Sequence, residues 1–181
     1  MDEVFVKQTT HENIVQTKHS YDIAEIQYQW KTIQKKLDKS NWFQKSQTCL
    51  QYSTQCEDRF TEGCGSIKRA EGRTEQDFHI LHSIYKDTIF ERIIHDLNAV
   101  RSRIMVKPKN TCYSIHADRT IRYHLPIFTH PHALFMYYEG DQSTTIHIPA
   151  DGYVWKTDTT KPHTFVNAGP ERTHLVMCQG E

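Results

Sequence analysis

The sequence predicts a mainly β fold with flanking helices, and three observations support that prediction. In two segments before Arg101, apolar residues recur every three or four positions, which is the period of an amphipathic helix. After Arg101 the pattern changes to short runs at roughly ten-residue spacing, as a jelly roll or a β-sandwich requires. The pairs Gly140-Asp141 and Asp151-Gly152 are typical of hairpin turns between such strands.

Length and charge set the broad class of protein. A chain of 181 residues fits one domain, so we expect 1–181 to fold as a unit, with 1–100 supporting a β core at 101–181. The 22 basic and 22 acidic residues balance, which leaves no basic footprint for nucleic acid. No apolar run approaches the roughly 20 residues of a membrane span. The start at 1–7 lacks the basic and apolar regions of a signal peptide, so we expect a cytoplasmic protein.

The cysteines indicate neither a disulfide framework nor a zinc ribbon. Their number is odd, and no two of them have the CxxC spacing. We therefore expect ordinary reduced thiols at all five positions: Cys49, Cys56, Cys64, Cys112 and Cys178.

Two helices are predicted before the β region. The first spans Ser20–Leu37, with Ser20 as the predicted N-cap and an apolar stripe that includes Ile26 and Trp30. This stripe either docks on the protein's own sheet or binds a partner helix, and docking on the sheet is the commoner outcome. The second helix is predicted over Thr88–Val100, followed by an extended segment at Arg101–Lys107.

A short strand and a long loop separate these two helices. The strand is predicted at Thr48–Ser53, and the loop from Gln55 to Gly72 is rich in Gly, Glu, Arg and Ser. Long loops in compact domains are often binding loops or lids. Candidate substrate contacts in this region are Gln51, Arg59 and Ser66. A solvated loop without a role is the alternative interpretation.

The C-terminal region is predicted to consist of strands and tight turns. With 101–107 included there are about eight strands, and a turn at Pro108–Asn110 follows the first. The others are predicted near 111–116, 120–128, 133–139, 143–148, 152–156, 162–167 and 171–178.

Two histidines and one aspartate have the spacing of a metal site. In a strand, His116 and Asp118 project to the same side, as two ligands of one metal must. His163 follows 45 residues beyond Asp118 and begins another strand-like run. Two histidines and one carboxylate can occupy one face of an octahedral ion and leave three positions open, as in non-haem Fe(II) oxygenases.

Basic residues accompany this triad. Arg172 lies nine residues after His163 and offers a planar, permanently charged fork for a carboxylate, although a surface salt bridge is the alternative. Arg122 and His124 alternate on one strand face, opposite the apolar side chains of Leu125 and Ile127. The residues alone leave Arg122 as a surface residue and His124 as a hydrogen-bonded core histidine.

Taken in order, His116-x-Asp118, Arg122-x-His124-x-Pro126, His163 and Arg172 resemble the aspartyl/asparaginyl β-hydroxylase family of Fe(II)/2-oxoglutarate-dependent dioxygenases, which includes free-proline hydroxylases. The resemblance covers the chain from Arg101 onward and does not extend to the N-terminal 100 residues. It implies a double-stranded β-helix (jelly-roll, cupin-like) fold. It also implies oxidation of a C–H bond with O2 and 2-oxoglutarate, giving succinate and CO2.

The resemblance also implies residue roles. His116, Asp118 and His163 would hold Fe(II), while Arg172, Arg122 and His124 would bind 2-oxoglutarate, with no catalytic side chain beyond the metal ligands. The implied substrate is an amino acid or a peptide or protein side chain. Two alternatives are a cupin-type metalloenzyme that does not use 2-oxoglutarate and a non-catalytic jelly-roll binding module.

Several other side chains receive structural interpretations. We expect four aromatic residues to be core residues rather than a substrate platform: Phe135, Tyr137, Trp155 and Phe165. Thr129 and Asn167 either orient a ligand or cap a turn.

Overall fold

A computed structural model describes residues 11–67 and 72–181 as two α-helices and twelve strands with short 3-10 turns. The segment 1–7, interpreted above as lacking a signal peptide, lies outside the described residues, as does 68–71 of the predicted loop. The elements are β1 Ile14–Ser20, α1 Ile23–Gln34, β2 Gln47–Cys49, β3 Gln51–Tyr52, β4 Ile80–Leu81, α2 Ile89–Asp96, β5 Ala99–Lys107, β6 Thr111–Cys112, β7 Arg122–Phe128, β8 Ala133–Glu139, β9 Gln142–His147, β10 Tyr153–Thr157, β11 His163–Asn167 and β12 Arg172–Gln179.

Two antiparallel sheets form the body of the protein. The larger has the order β1-β10-β7-β12-β5-β2, and the smaller has the order β6-β11-β8-β9. Side chains from β1 and β10 of the larger sheet share a buried cluster with side chains from β8, β9 and β11 of the smaller one. The predicted jelly-roll, cupin-like fold is confirmed.

The outer face of the six-stranded sheet is covered by both helices. Trp30 of α1 and Phe90 of α2 belong to the same buried cluster as Ile104, Leu125 and Leu175 of the central strands. The predicted docking of α1 on the protein's own sheet is therefore confirmed. In the part of the chain that the structure describes, no helix is long and apolar enough to cross a bilayer.

The predicted start of α1 was wrong by a few residues. Ser20 ends β1, a strand that the sequence analysis missed, and Asp22 is the N-cap. The Asp22 side chain accepts hydrogen bonds from the backbone N–H groups of Ala24 and Glu25, which would otherwise lack partners at a helix start.

The second helix also ends earlier than predicted. It stops at Asp96, and Asn98 adopts a positive φ of 44°, a conformation that Asn tolerates at helix ends. The chain then enters β5 at Ala99, so Val100 belongs to a strand rather than to the helix.

Two predicted strands are shorter or divided. The strand at Thr48–Ser53 is two strands, because β2 pairs with β5 whereas β3 pairs with β4. The strand at 111–116 is reduced to β6, and the chain beyond it loops out before His116 returns to pair with His163.

Candidate metal centre and cavity

His116, Asp118 and His163 converge, with one ligand atom from each lying within 4.8 Å of the others. Backbone pairing brings the two histidines together. The His116 N–H donates to the His163 carbonyl at 3.0 Å, and the His163 N–H donates to the His116 carbonyl at 2.9 Å. Since His163 begins β11, this bridge fixes His116 beside a strand of the smaller sheet.

Asp118 reaches the cluster by a different route from the one predicted. His116 and Asp118 do not lie on a regular strand, because only an isolated bridge at His116 interrupts the loop after β6. The Asp118 N–H donates to the Thr159 carbonyl at 2.7 Å, which anchors this loop to the segment that precedes His163. The convergence therefore results from loop anchoring rather than from strand alternation.

Both histidines have the tautomer that a metal ligand needs. Nδ1 of His116 lies 2.8 Å from the Ser114 carbonyl, and Nδ1 of His163 lies 2.8 Å from the Lys161 carbonyl. Because a carbonyl only accepts, the proton is assigned to Nδ1, and Nε2 keeps its lone pair. Burial lowers the pKa of His163, which favours the neutral ring. The donor set thus fits a divalent metal ion.

A cavity of about 420 Å³ adjoins the triad. Its apolar wall includes Met105, Phe135, Phe165 and Val176. Phe135 and Phe165 are buried as predicted, but they also line the cavity. The charged lining comprises five arginines and two carboxylates: Arg101, Arg103, Arg119, Arg122, Arg172, Glu75 and Asp118.

Arg172 is buried in this cavity, and no carboxylate of the described residues forms an ion pair with it. It is 2 % exposed, and its Nε and one terminal nitrogen make no hydrogen bond to a described residue. The guanidinium carbon lies 3.7 Å from the centroid of the Phe165 ring, so the aromatic face supports one side of the charged plane. Burial lowers the pKa of Arg172 to about 9, which still leaves it protonated at neutral pH.

Arg122 lies on the same cavity wall but is already engaged. One terminal nitrogen lies 2.7 Å from Glu75 Oε1, and Nε lies 3.5 Å from Asp118 Oδ2. Thr120 also contacts both Arg122 and Glu75. Arg122 thus connects a ligand of the candidate metal site to a buried carboxylate.

Glu75 is a charged cavity residue that the sequence analysis missed. It is buried and forms ion pairs with Arg122 and, at 2.9 Å, with Arg101. Burial raises the pKa of Glu75, but Arg122, Thr120 and Arg101 outweigh that effect, and the net pKa is lowered. No local pattern marks Glu75, because its partners lie 26 and 47 residues away.

His124 lies deeper in the wall, next to a second buried histidine. Its Nδ1 is 3.4 Å from Nδ1 of His174, and its ring meets Phe135 edge to face. Burial is the main reason why the pKa values of His124 and His174 are both well below the ordinary value, with Arg172 adding to the effect. Both rings are therefore neutral at physiological pH.

The three proposed substrate contacts lie in different surroundings. Ser66 lines the cavity together with Gly65 and Ile67. Gln51 is buried, where its side chain donates to the Ala99 carbonyl at 2.9 Å and accepts from the Ser102 N–H at 3.0 Å. The Arg59 guanidinium stacks on Tyr52, and neither Gln51 nor Arg59 is part of the cavity lining in the described chain.

Asn167 acts as a cap for loops. Its Nδ2, with two N–H groups, lies 2.9 Å from each of the carbonyls of Lys107, Pro108 and Pro170, and its Oδ1 lies 2.9 Å from Nε2 of His130. These bonds join the ends of β5 and β11 rather than a ligand. Thr129 Oγ1 is buried and has no partner among the described residues.

No protein-family model matches the sequence, and no curated protein matches it significantly. Solved structures do resemble the fold. A non-haem monooxygenase, ThoJ, in a nickel complex aligns over 91 % of this chain and 72 % of its own, at 10 % identity and a TM-score of 0.51. That likeness concerns the fold alone.

Two further structures resemble the chain less closely in TM-score. A prolyl-4-hydroxylase from Pseudomonas putida aligns over 93 % of this chain and 89 % of its own, at 14 % identity and a TM-score of 0.48. An oxidoreductase of the 2OG-Fe(II) oxygenase family from Burkholderia pseudomallei is 21 % identical, with a TM-score of 0.38. The match covers 45 % of this chain and 42 % of that oxidoreductase, so the chain spans less than half of the length of the oxidoreductase.

Proposed function

We propose that this protein is an Fe(II)/2-oxoglutarate-dependent dioxygenase that hydroxylates a C–H bond. The overall reaction converts the C–H compound, O2 and 2-oxoglutarate into the alcohol, succinate and CO2. One observation supports this more than any other: the cavity that contains the His–Asp–His cluster also holds the buried guanidinium of Arg172, which has no ion pair among the described residues. A metal-bound oxo-acid with a distal carboxylate satisfies both features at once.

His116, Asp118 and His163 are the proposed iron ligands. Both Nε2 lone pairs are available, and three protein ligands leave three positions of an octahedral ion open. When bound, the iron together with 2-oxoglutarate and O2 supplies the oxidising chemistry. The protein supplies the ligand geometry and the surroundings.

Arg172 is the proposed partner of the distal carboxylate of 2-oxoglutarate. An arginine binds a carboxylate through two parallel hydrogen bonds and keeps its charge when buried. Phe165 fixes the guanidinium plane, so little side-chain freedom is lost when the acid binds. His124 is a further proposed contact of the co-substrate, because it lines the cavity from β7, the strand that also provides Arg122, and β7 is paired with β12, which provides Arg172.

Arg122 has a second proposed role besides contact with the co-substrate. Because its Nε faces Asp118 Oδ2 and its other end is held by Glu75, it restricts the orientation of the Asp118 carboxylate. Phe135, Phe165 and Val176 limit the access of water to the reacting region. Substrate is expected to approach from the side of His116, the exposed member of the triad.

The test is succinate formation. Protein loaded with Fe(II) without oxygen is exposed to O2 and 2-oxoglutarate, alone and with a panel of free amino acids and peptides. We expect slow succinate release that one panel member accelerates. Metal binding without succinate under any condition would favour the cupin-type enzyme that does not use 2-oxoglutarate. Absence of metal binding would favour the binding module.

A further inference from the structure

Arg103 is one of four buried arginines in the cavity lining, and it has no role in the function proposed above. Arg103 lies on β5, where its backbone is opposite Cys49 of β2 on one side and Val176 of β12 on the other. It is 5 % exposed and lines the cavity, and its Nε has no hydrogen-bond partner in the described part of the chain. Within residues 11–67 and 72–181, no ion pair includes Arg103.

The carboxylates of the cavity are already used by other arginines. Glu75 pairs with Arg101 and Arg122, and Asp118 faces Arg122 from its position in the triad. Arg103 and Arg172 are the two buried guanidiniums of the lining that form no ion pair with a carboxylate among the described residues, although the charge of Arg103 also helps to lower the pKa of Glu75. Burying a charge is costly unless it is paired, so two unpaired guanidiniums indicate two anionic groups to be bound.

One 2-oxoglutarate does not account for both positions. Its distal carboxylate is assigned to Arg172, and its other carboxylate belongs at the metal. In the backbone register of β12 against β5, Arg172 lies opposite Lys107 at one end of β5. Arg103 lies four residues away from Lys107 along that strand. Four residues of strand span roughly 13 Å, so the backbones of Arg103 and Arg172 are well separated along the cavity wall.

We propose that Arg103 binds a carboxylate of the substrate, which makes the substrate a small carboxylic acid of amino acid size. This inference rests on the proposed function. The cavity volume of about 420 Å³ is at the small end of ligand pockets, which run from roughly 300 to 1,000 Å³, and it must also hold 2-oxoglutarate. The fork of Arg103 holds the carboxylate by two hydrogen bonds, and this contact sets which C–H bond faces the triad.

The test compares acids with their amides. Full-length protein is loaded with Mn(II) in place of iron and saturated with 2-oxoglutarate. Binding of free L-amino acids and of their primary amides is then measured by calorimetry, with N-acetylated peptide amides carrying Asp or Glu as a separate arm. We expect at least one free acid to bind more tightly than its amide by about tenfold or more, because an amide cannot replace the charged acceptor.

The variant Arg103→Gln should remove that preference and bring the acid to the affinity of its amide. Binding of 2-oxoglutarate to this variant should stay within about threefold of wild type, whereas Arg172→Gln should weaken it by about tenfold or more. Arg103→Lys should recover part of the preference, because it keeps the charge but loses the fork. Arg92→Gln is the control, since this arginine is exposed on α2.

Three results would overturn the assignment. The first is equal binding of acids and amides by the wild-type protein, a comparison that does not depend on any variant folding. The second is an unchanged acid preference in Arg103→Gln. The third is a loss of 2-oxoglutarate binding in Arg103→Gln as large as in Arg172→Gln, which would place Arg103 in the co-substrate site.

Two other outcomes concern the size of the substrate and the proposed function rather than the role of Arg103 alone. Tighter binding of the acidic peptides than of any free acid would contradict the inferred small size of the substrate. If wild-type protein binds no 2-oxoglutarate, the proposed function fails instead. The comparison of acids with amides on Mn(II)-loaded protein without 2-oxoglutarate then decides whether Arg103 binds a carboxylate.

Discussion

The two faces of the central strands β5, β7 and β12 in the six-stranded sheet have opposite chemistry. On the outer face, Ile104, Leu125 and Leu175 pack beneath the two helices in one continuous apolar cluster. On the inner face, Arg103 and Arg172 from those strands line a charged cavity. Alternation along each strand separates the two sets of side chains.

This difference indicates how the fold divides stability from function. The apolar face gains free energy from burial and needs no ligand. The inner face buries arginines that are not all paired, which costs free energy in the absence of an anionic ligand. Changes on the two faces should therefore have opposite consequences for stability and for activity.

The largest expected effect is on turnover. Asp118→Ala should lower iron-dependent succinate formation on the order of a thousandfold or more, because two ligands hold the metal weakly. Its thermal unfolding should change little, since Asp118 lies in a partly exposed loop. Asp141→Ala, in the β8–β9 hairpin, is the matched control. Turnover at the wild-type rate in Asp118→Ala would contradict the triad.

The matched change on the apolar face is Leu125→Ala. It should cost about 2–5 kcal/mol of unfolding free energy, because Leu125 is fully buried in the helix-covered cluster. The folded fraction should still bind Mn(II) with the affinity of the wild type. Urea unfolding and a metal titration check the two expectations, and a loss of metal affinity in folded protein would show that the faces are coupled.

Glu75 lies on the charged side of the sheet but is expected to contribute to stability, unlike the unpaired arginines of that side. Glu75→Ala should cost about 3–5 kcal/mol, since it leaves Arg101 and Arg122 buried without their carboxylate. Glu62→Ala, which breaks an ion pair outside the cavity lining, should cost less. If urea unfolding shows equal stability for Glu75→Ala and wild type, the ion-pair network has no structural role.

Arg172→Gln should separate binding from stability. Affinity for 2-oxoglutarate in Mn(II)-loaded protein should fall by roughly 10–100-fold, because the charged fork is lost. Unfolding temperature should stay the same or rise, since the substitution removes a buried charge that forms no ion pair with a described carboxylate. A clear fall in the unfolding temperature together with intact 2-oxoglutarate binding would assign Arg172 a structural role instead.

The smallest effect concerns pH. Burial lowers the pKa values of His124 and His174 in the folded protein, so the unfolded chain binds more protons below its histidine pKa of about 6.5. Stability should therefore fall as the pH drops below about 6.5, by up to roughly 1.4 kcal/mol per pH unit for each histidine.

Urea unfolding between pH 7.5 and 5.5 checks this expectation. His174→Gln should flatten the dependence, because it removes one of the two buried rings. His95→Gln, which changes an exposed histidine, should not. An identical pH dependence in wild type and His174→Gln would mean that the buried pair does not titrate on unfolding.

The features that could be predicted correctly from the sequence are those marked by local patterns in it. Strand alternation predicted the two faces of β7, and motif spacing selected the three residues that the structure brings together at the candidate metal site. The strand β1 gave no such signal, because its burial does not alternate regularly and its pairing with β10 is interrupted by a register shift.

The roles of Glu75 and Arg103 depend on distant parts of the chain. Glu75 is a surface-type residue on a 3-10 turn until the fold places it between Arg101 and Arg122. Arg103 was predicted only as part of an extended segment, and its missing counterion becomes visible once all the carboxylates of the cavity are located. The spacing of residues in the sequence predicts neither the ion pairs of Glu75 nor the absence of an ion pair at Arg103.

The most direct test of the central claim is calorimetric titration of 2-oxoglutarate into the protein with and without Mn(II). The account predicts one binding site that needs the metal, is lost in Asp118→Ala and is weakened in Arg172→Gln. Binding of equal strength in the presence and absence of metal, or no binding to metal-loaded protein, would contradict a shared site for the metal and 2-oxoglutarate in this cavity.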